Sequence, residues 1–253
     1  MKFKEFDQKM RVYEEAHDHC VLPGLYMVAR IDGRNFTTLT KDVLLDLDRP
    51  FDIRFQEWMS RAAQRVMDCG FRTLYAYIQS DEISLLLHPK ENSFDRKLRK
   101  LDSILAAEAA AAFCIASGAH GAFDCRISQL PRDEDVVDYF RWRQADAPRN
   151  ARNAYVYWTL RDDGRSGKQA DREMRAMSYA EKGSFLHDSG IMFDDLPGWQ
   201  TRGQGISWET YEKEGMDPRT GEKKLAQRKR LKAGDLPTGD AYGDFLFNLE
   251  MSA

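Results

Sequence analysis

Residues 73–88 read TLYAYIQSDEISLLLH, two apolar runs interrupted only by Ser80 and Asp81. Runs rich in aromatic and aliphatic residues favour strands, and so short a polar break predicts a tight hairpin between them. Glu82 is the first residue of the second run. Because an unpaired buried carboxylate costs several kcal/mol, acids at the tips of buried strands need a partner or a metal ion. The hairpin therefore predicts a sheet with a site at its turn.

Strand and helix signals on both sides of this hairpin complete a βαββαβ order. Residues 24–32 (GLYMVARID) predict a strand, and residues 49–70 predict a helix with a proline near its start and a glycine at its end. Residues 93–118 are Ala-rich with apolar residues at helical spacing, and residues 122–130 (AFDCRISQL) predict a fourth strand. This order is typical of the ferredoxin-like plan, an antiparallel sheet with both helices on one face. We therefore predict an α+β protein.

The second half of the chain is less regular. Residues 133–161 predict a helix, residues 162–173 (DDGRSGKQADRE) a polar loop, and the remainder a turn-rich, partly basic tail. The basic run at residues 221–232 (GEKKLAQRKRLK) suits either a phosphate-binding segment or a solvated helix face. These patterns leave the role of the run from Lys223 to Lys232 open.

Composition places the chain among ordinary globular proteins. It has 253 residues, of which 42% are hydrophobic and 31% charged, with a net charge of -3. No apolar run approaches the roughly 18 residues that a membrane span needs, and the charged N-terminus lacks the apolar segment of a signal peptide. The four cysteines show no C-x-x-C spacing, which favours free thiols in a reducing cytoplasm.

Three acids are expected to meet at one edge of the predicted sheet. The first strand lies beside the hairpin in this topology, so its end at Asp32 approaches Asp81 and Glu82. Carboxylates this close repel one another unless a cation neutralises them, and hard oxygen ligands suit Mg²⁺. Gly33 allows a sharp turn whose N–H groups can face an anion such as a phosphate. The alternative interpretation is a set of exposed turn acids beside a surface loop.

Four ordered motifs resemble those of the tRNA-His guanylyltransferase superfamily, whose members add nucleotides to RNA 5′ ends in the 3′–5′ direction. The motifs are RIDGRNF, QSDEISLLL, FDCRISQLP and DYFRWRQADAPRNARNAYVYWTLR, and the resemblance runs from about Tyr26 to Ile206. It implies a polymerase-palm core at residues 1–135 and a fingers-like C-terminal α/β region at 136–253 packed on it. It also implies two Mg²⁺ ions, held by Asp32, Asp81 and the backbone carbonyl of Gly33, with Glu82 as the third essential acid.

The same resemblance implies the substrates and the residues that bind them. ATP or GTP would activate the tRNA 5′ end, and the triphosphate would lie along Asp32, Gly33, Arg34, Asn35, Phe36 and Thr37, with Ser80 and Asp81 at its edge. Residues that match family positions for triphosphates or the tRNA 5′ end are Lys97, Lys100, Arg126, Asn150 and Lys182. The family is typically tetrameric, so a homo-oligomer is expected.

One departure from the family pattern indicates a branch. Members that add a guanylate to tRNA-His without a template carry His-Ile-Asn-Asn-Leu-Tyr-Asn, where residues 148–154 read PRNARNA and keep only Asn150 in register. The substitution resembles the bacterial and archaeal "like proteins", which prefer template-dependent addition and rebuild 5′-truncated tRNAs. Guanylate addition to tRNA-His stays open, as do the tRNAs used and the choice of ATP or GTP.

Two other classes of function fit part of the sequence. A nucleotide cyclase with a palm domain would explain Asp32, Asp81 and the DGRNF motif but leaves the basic residues of the C-terminal half without a role. A non-catalytic ferredoxin-like RNA binder would explain the sheet and the basic residues. Such a binder should carry exposed aromatics on its central strands rather than clustered acids.

Overall fold

The computed structural model describes residues 2–216, 219 and 223–249. The strands are β1 (Tyr26–Arg34), β2 (Thr73–Gln79), β3 (Glu82–Leu87), β4 (Ala122–Leu130), β5 (Gln204–Met216) and β6 (Lys223–Gly234). The helices are α1 (Phe3–Glu15), α2 (Phe36–Thr38), α3 (Ile53–Met67), α4 (Leu98–Ser117), α5 (Asp133–Asp162), α6 (Gly167–Ala176), α7 (Tyr179–Asp188), α8 (Gly198–Thr201) and α9 (Asp240–Phe247).

One antiparallel sheet with the order β4-β1-β3-β2-β5-β6 organises the chain. The predicted hairpin is confirmed: Gln79 pairs with Glu82, so Ser80 and Asp81 alone form the turn between β2 and β3. The predicted βαββαβ order is also confirmed, with β1 between β3 and β4. The central strands β1 and β3 thus carry their polar ends to the same edge.

Two layers of helices cover the sheet. On one face, α3 and α4 pack through Met59, Val66 and Leu105 against Ile31 and Ile83 of the central strands. On the other face, α5 and α9 bury a second cluster of apolar side chains, namely Val28, Tyr75, Tyr77, Leu86, Val136, Phe140, Tyr242 and Leu246. Full burial of one such side chain contributes about 1.5–3 kcal/mol, so both layers stabilise the sheet.

Two predicted helices begin later than their sequence signals indicate. The helix predicted over 49–70 starts at Ile53, because the Asp52 carboxylate accepts a hydrogen bond from the backbone N–H of Arg54 at 2.7 Å and caps it. The helix predicted over 93–118 starts at Leu98. Phe94 and Asp95 precede it with φ of 55° and 54°, a left-handed conformation that no α-helix continues.

The C-terminal half departs from prediction in two places. The polar loop predicted over 162–173 is wrong, because Ser166 caps α6 through the N–H of Gln169 and the helix starts at Gly167. The turn-rich tail is also wrong, since β5 and β6 form a long hairpin that extends the sheet from β2. The basic run is therefore part of a strand rather than of a helix face, and its Gly221 and Glu222 lie outside the described residues.

Complementary charges link the two long polar strands, because β5 carries several glutamates and β6 carries lysines and arginines. Arg230 and Lys232 of β6 contact the carboxylate of Glu209 on β5 at 2.7 and 2.6 Å. Opposite charges across a ladder add to its stability, and Ile206, Trp208 and Leu231 pack on the apolar core next to β2. Across residues 2–216 and 223–249, no helix is long and apolar enough to cross a membrane.

Candidate active site

The ends of β1 and β3 bring the predicted acids together. Asp32 on β1 lies opposite Glu82 on β3 and opposite Asp124 on β4. The backbone N–H of Gly33 donates to the carbonyl oxygen of Asp81 at 3.0 Å, which ties β1 to the hairpin turn. This N–H is therefore used inside the protein, and Gly33 does not supply the anion-facing amide that its turn suggested.

Gly33 is needed because its neighbours leave no room for a side chain. A Cβ atom there would lie 2.6 Å from the Phe36 ring and 2.9 Å from Cβ of Asp81. The Phe36 ring is itself buried among Phe55, Phe113 and Phe123, so it cannot move aside. The close approach of β1 to the Asp81 turn thus depends on the missing side chain.

Asp81 is a largely buried acid without a cationic partner among the described residues. Burial raises its pKa to about 6, and the negative charges of Asp32 and Glu82 add to the shift. Hydrogen bonds from its own backbone N–H and from the Ser80 hydroxyl act in the opposite direction. None of the ion pairs seen in the described part of the chain involves Asp81. A carboxylate in this setting is suited to hold a divalent cation.

The donor set fits magnesium bound together with a substrate. Asp32, Asp81 and the Gly33 carbonyl supply oxygen ligands only, which excludes the soft ligands typical of zinc. In the residues that the structure describes, no three His, Cys, Asp or Glu side chains form a cluster that could hold a metal by themselves. Mg²⁺ usually takes one or two carboxylates and completes its shell with water and phosphate oxygens. The two aspartates meet that requirement.

Glu82 is engaged differently from the other two acids. Arg143 on α5 donates to both of its carboxylate oxygens, at 2.7 and 2.8 Å, and the Ser84 hydroxyl donates at 3.3 Å. The side chains of Glu82 and Arg143 are only 12% and 9% exposed. Burial raises the pKa of Glu82 and Arg143 opposes that shift, so the pair is a charge-compensated link between the sheet and α5.

Arg143 was not predicted as a site residue, although the spacing of its neighbours in the sequence indicates that it is buried. Val136, Phe140, Arg143 and Ala147 follow helical spacing and are all buried. A charged residue inside such an apolar stripe requires a buried partner of opposite charge. That partner is Glu82, 61 residues away in the chain.

A cavity of about 190 Å³ opens beside the hairpin turn. Of the residues predicted to bind a nucleotide or the tRNA, Phe36, Thr37, Ser80, Asp81 and Asn150 line it. Asp32, Gly33, Arg34 and Asn35 are not among its lining residues; they directly precede Phe36, which is. The cavity therefore joins the predicted nucleotide segment, the Asp81 turn and α5.

The cavity is also lined by aromatic and cationic side chains that were not predicted from the sequence. Trp158 and Trp199 line it together with Lys41 and Arg49. The Lys41 ammonium lies 4.2 Å from the centre of the Tyr157 ring, and the Arg49 guanidinium 5.1 Å from that of Trp158. Aromatic faces can stack on a base, and the two cations can offset phosphate charge.

The predicted basic residues fall into two separate groups. Arg126 lies near the acids, 3.8 Å from the Asp32 carboxylate and 2.8 Å from that of Asp124. Lys182 on α7 donates to the side chain of Asn153 on α5 at 2.8 Å. Asn150 is also on α5 and lines the cavity. Arg126 thus lies at the acid edge and Asn150 in the cavity wall, while Lys182 on α7 contacts α5 next to that wall.

Lys97 and Lys100 do not join this group. Arg96, next to Lys97, donates to the carbonyl of Leu25 just before β1, and six residues of extended strand lie between Leu25 and Asp32. At about 3.3 Å per residue, this distance is roughly 20 Å. Lys97 instead forms an ion pair with Asp18 at 2.8 Å. The Lys100 ammonium lies 5.7 Å from the centre of the Phe94 ring. A triphosphate or tRNA role for these two lysines stays a prediction.

The antiparallel palm-like sheet with two acids at its edge and an adjoining aromatic cavity, taken with the family matches that follow, identifies the protein as a nucleotidyltransferase. Residues 7–131 match the family model described as tRNAHis guanylyltransferase (Thg1), and residues 134–236 match the Thg1 C terminal domain. The chain belongs to the tRNA(His) guanylyltransferase family. The division predicted at residues 135 and 136 stays a prediction.

Curated relatives and solved structures agree with this membership. The chain is 30% identical over 197 residues to a probable tRNA(His) guanylyltransferase of Dictyostelium discoideum, covering 74% of this chain and 76% of the relative. The corresponding mouse protein is 29% identical over 209 residues, covering 78% and 69%. A bacterial Thg1-like protein in complex with ATP superposes with a TM-score of 0.72 at 26% identity, covering 97% and 98% of the two chains. The Saccharomyces cerevisiae enzyme shares the fold, with a TM-score of 0.68 at 21% identity over 78% of this chain and 91% of that one.

Proposed function

We propose that this protein is a template-dependent 3′–5′ nucleotidyltransferase that activates the 5′ end of tRNA and adds nucleotides to it. The observation that carries the proposal is the buried, uncompensated carboxylate of Asp81 at the end of a cavity of about 190 Å³. Structures of bacterial Thg1-like proteins in complex with ATP and with GTP support a nucleoside triphosphate as the occupant. The reaction is set in the cytoplasm in this proposal.

Asp32, Asp81 and the Gly33 carbonyl would hold two Mg²⁺ ions. When bound, such ions lower the pKa of an attacking hydroxyl and neutralise the triphosphate. Asp81 must give up its proton to serve as a ligand, so the site becomes competent as the pH rises through about 6. The hydroxyls of Thr37 and Ser80 line the cavity and can donate to phosphate oxygens there.

The chemistry has two balanced stages. In the first, an oxygen of the tRNA 5′-monophosphate attacks the α-phosphorus of ATP or GTP, and pyrophosphate leaves. In the second, the 3′-hydroxyl of the incoming nucleotide loses its proton and attacks the activated 5′-phosphorus, and the nucleoside monophosphate leaves. Arg126, which lies 3.8 Å from Asp32, would offset the charge on these leaving groups.

Template dependence is inferred from the run PRNARNA at residues 148–154. This run lies on α5, where Asn150, Ala151 and Ala154 form one wall of the cavity. Two of the three wall residues are alanines, which leave the opposite base of the acceptor stem to select the nucleotide by pairing. Repair of 5′-truncated tRNAs is the activity that such a wall permits, and guanylate addition to tRNA-His follows when its template base pairs with G.

The decisive experiment incubates the protein with Mg²⁺, labelled GTP and ATP, and a tRNA that lacks its first nucleotide opposite a C. A lengthened RNA supports the proposal, and Asp81→Ala serves as the matched inactive control. A cyclic nucleotide instead would identify a cyclase. If RNA binds but no product of either kind forms, the chain is a non-catalytic RNA binder.

Assembly into a homo-oligomer, a tetramer on family resemblance, is part of the same proposal. None of the residues of α1 is buried in the single chain, and Phe3, Val12 and Tyr13 are more than two thirds exposed, at 82%, 68% and 72%. A partner subunit that covered these side chains would remove this apolar surface from water, which favours association. Light scattering after gel filtration measures the assembly, and a monomer would contradict this part of the proposal.

A further inference from the structure

We infer that Arg143 is a positioning residue: its two bonds to Glu82 hold the Asp81 turn and the α5 wall of the cavity at a fixed spacing. This inference rests on the proposed function, because it concerns the same cavity. It also gives Glu82 a role other than that of a metal ligand, since both of its carboxylate oxygens accept from Arg143.

Helix α5 has two parts with different contacts, and Arg143 lies between these parts. Its N-terminal part packs under the sheet through Val136 and Phe140. Its following turns carry Asn150 and Trp158 into the cavity wall. The Glu82–Arg143 pair joins the two parts at the point where the helix passes the acid edge.

Pro148 makes this link necessary. A proline inside a helix lacks the N–H that would bond to the carbonyl four residues earlier, so the helix is weakened between Gln144 and Pro148. The cavity-lining residues of α5 all follow Pro148. Without an anchor immediately before the weak point, the wall can tilt relative to the sheet.

The anchor acts on the turn directly. Glu82 follows Asp81 in the chain, and Asp81 is bonded to Gly33 through its carbonyl. Guanidinium and carboxylate form two parallel bonds, which fix orientation as well as distance. A lysine would keep the charge but lose the fork, so the geometry predicts that it cannot replace Arg143.

Stability alone does not account for the pair. Buried ion pairs contribute little net stability, because the cost of removing both charges from water offsets their attraction. A pair kept only for stability should therefore be replaceable by two uncharged residues. A pair kept for position should not be.

The test compares three variants at the pair with a matched control. The variants are Arg143→Met, the double change Glu82→Gln with Arg143→Met, and Arg143→Lys. The control is Arg141→Met, which removes an arginine from the same helix whose partner, Asp240, is 98% exposed. The melting temperature, the dissociation constant for ATP and the extension rate of a 5′-truncated tRNA are measured for each.

Arg143→Met should melt at a lower temperature, since it removes both short hydrogen bonds to the buried Glu82 carboxylate and leaves only the longer ion pair with Arg30 at 3.8 Å. The double variant should melt close to the wild type yet bind ATP about tenfold more weakly and extend RNA about 10²-fold more slowly, because small misplacements of reacting groups cost about that much. Arg143→Lys should fold, since the charge is kept, and show the same loss of rate. Arg141→Met should match the wild type in all three measurements.

Recovery of both the melting temperature and the extension rate by the double variant would overturn the positioning role. If the double variant does not fold, Arg143→Lys decides: a folded lysine variant with a wild-type rate and ATP affinity overturns the role, and a slow one supports it. A wild-type protein that neither binds ATP nor extends RNA would instead overturn the proposed function. The two failures are therefore distinguishable.

Discussion

The backbone N–H of Gly33 donates to the carbonyl oxygen of Asp81 over 3.0 Å, so the end of β1 and the β2–β3 turn form one unit. Asp32 precedes Gly33, and Glu82 follows Asp81. One backbone hydrogen bond thus sets the separation of the two aspartates that are proposed to hold metal ions.

Replacing Gly33 by Ala should disturb this unit. The new Cβ would lie 2.6 Å from the Phe36 ring and 2.9 Å from Cβ of Asp81, and overpacking of this kind costs about 1–3 kcal/mol. We expect a lower free energy of unfolding by denaturant and loss of most nucleotide addition. Gly118→Ala is not a suitable control because its φ is 70°, whereas Gly183→Ala, with its nearest contact at 3.7 Å, should be tolerated. Equal behaviour of the Gly33 and Gly183 variants would refute the close packing.

Replacing Asp81 by Asn should abolish nucleotide addition yet stabilise the metal-free fold. The pKa of Asp81 rises from 3.8 to about 6 on folding, so its charge costs stability at high pH. The native state binds the proton more tightly, and wild-type stability therefore falls as the pH rises from about 4 to about 6. A shift of about two pKa units corresponds to at most about 3 kcal/mol.

Denaturant unfolding in EDTA measures this effect. The advantage of Asp81→Asn over the wild type should be about 1 kcal/mol larger at pH 8 than at pH 5, by the same linkage. Asp163→Asn, an exposed acid at the end of α5, should show no such change. An advantage that does not depend on pH would mean that Asp81 is not the buried acid described above.

Magnesium should stabilise the wild type in a pH-dependent way. A ligand that binds only the folded state raises its stability, and protons compete with the metal for the carboxylates. We expect Mg²⁺ to raise the melting temperature clearly at pH 8 and much less at pH 5, where Asp81 holds its proton. Asp81→Asn should respond weakly at both values. A full response in that variant would place the metal elsewhere.

The added nucleotide should follow the template. Given tRNAs that lack their first nucleotide, with each of the four bases opposite the gap, the enzyme should add the Watson–Crick complement each time. A mismatched nucleotide would not place its hydroxyl for attack, which costs about 10²-fold in rate. Primer-extension analysis of the products measures the choice.

Full-length tRNA-His with an unpaired A opposite the new position provides the control for template dependence. Poor addition of G there, with efficient repair of the truncated tRNAs, is the expected result. Efficient addition of G to this RNA with poor repair of the others would instead identify a dedicated tRNA-His enzyme.

Local patterns in the sequence were sufficient for the core of the fold. Strand-forming runs, a two-residue polar break and Ala-rich helical spacing predicted the βαββαβ order, and antiparallel pairing then brought Asp32 near Asp81. These features depend on neighbours in the chain or on one simple topology. They could be predicted because backbone hydrogen bonding and the burial of apolar faces leave few alternatives.

Only the tertiary structure decided the partners of the charged residues. Glu82 is bound by Arg143, which is 61 residues away, and Lys97 lies near the start of β1 rather than beside the acids at its end. Likewise, β5 pairs with β2, about 130 residues earlier, although only Ile206 and Trp208 at its start join the apolar core and the rest of the β5–β6 hairpin is largely polar. Long side chains and edge strands choose partners by proximity in the folded state, and that proximity exists only after the sheet and its helices have packed.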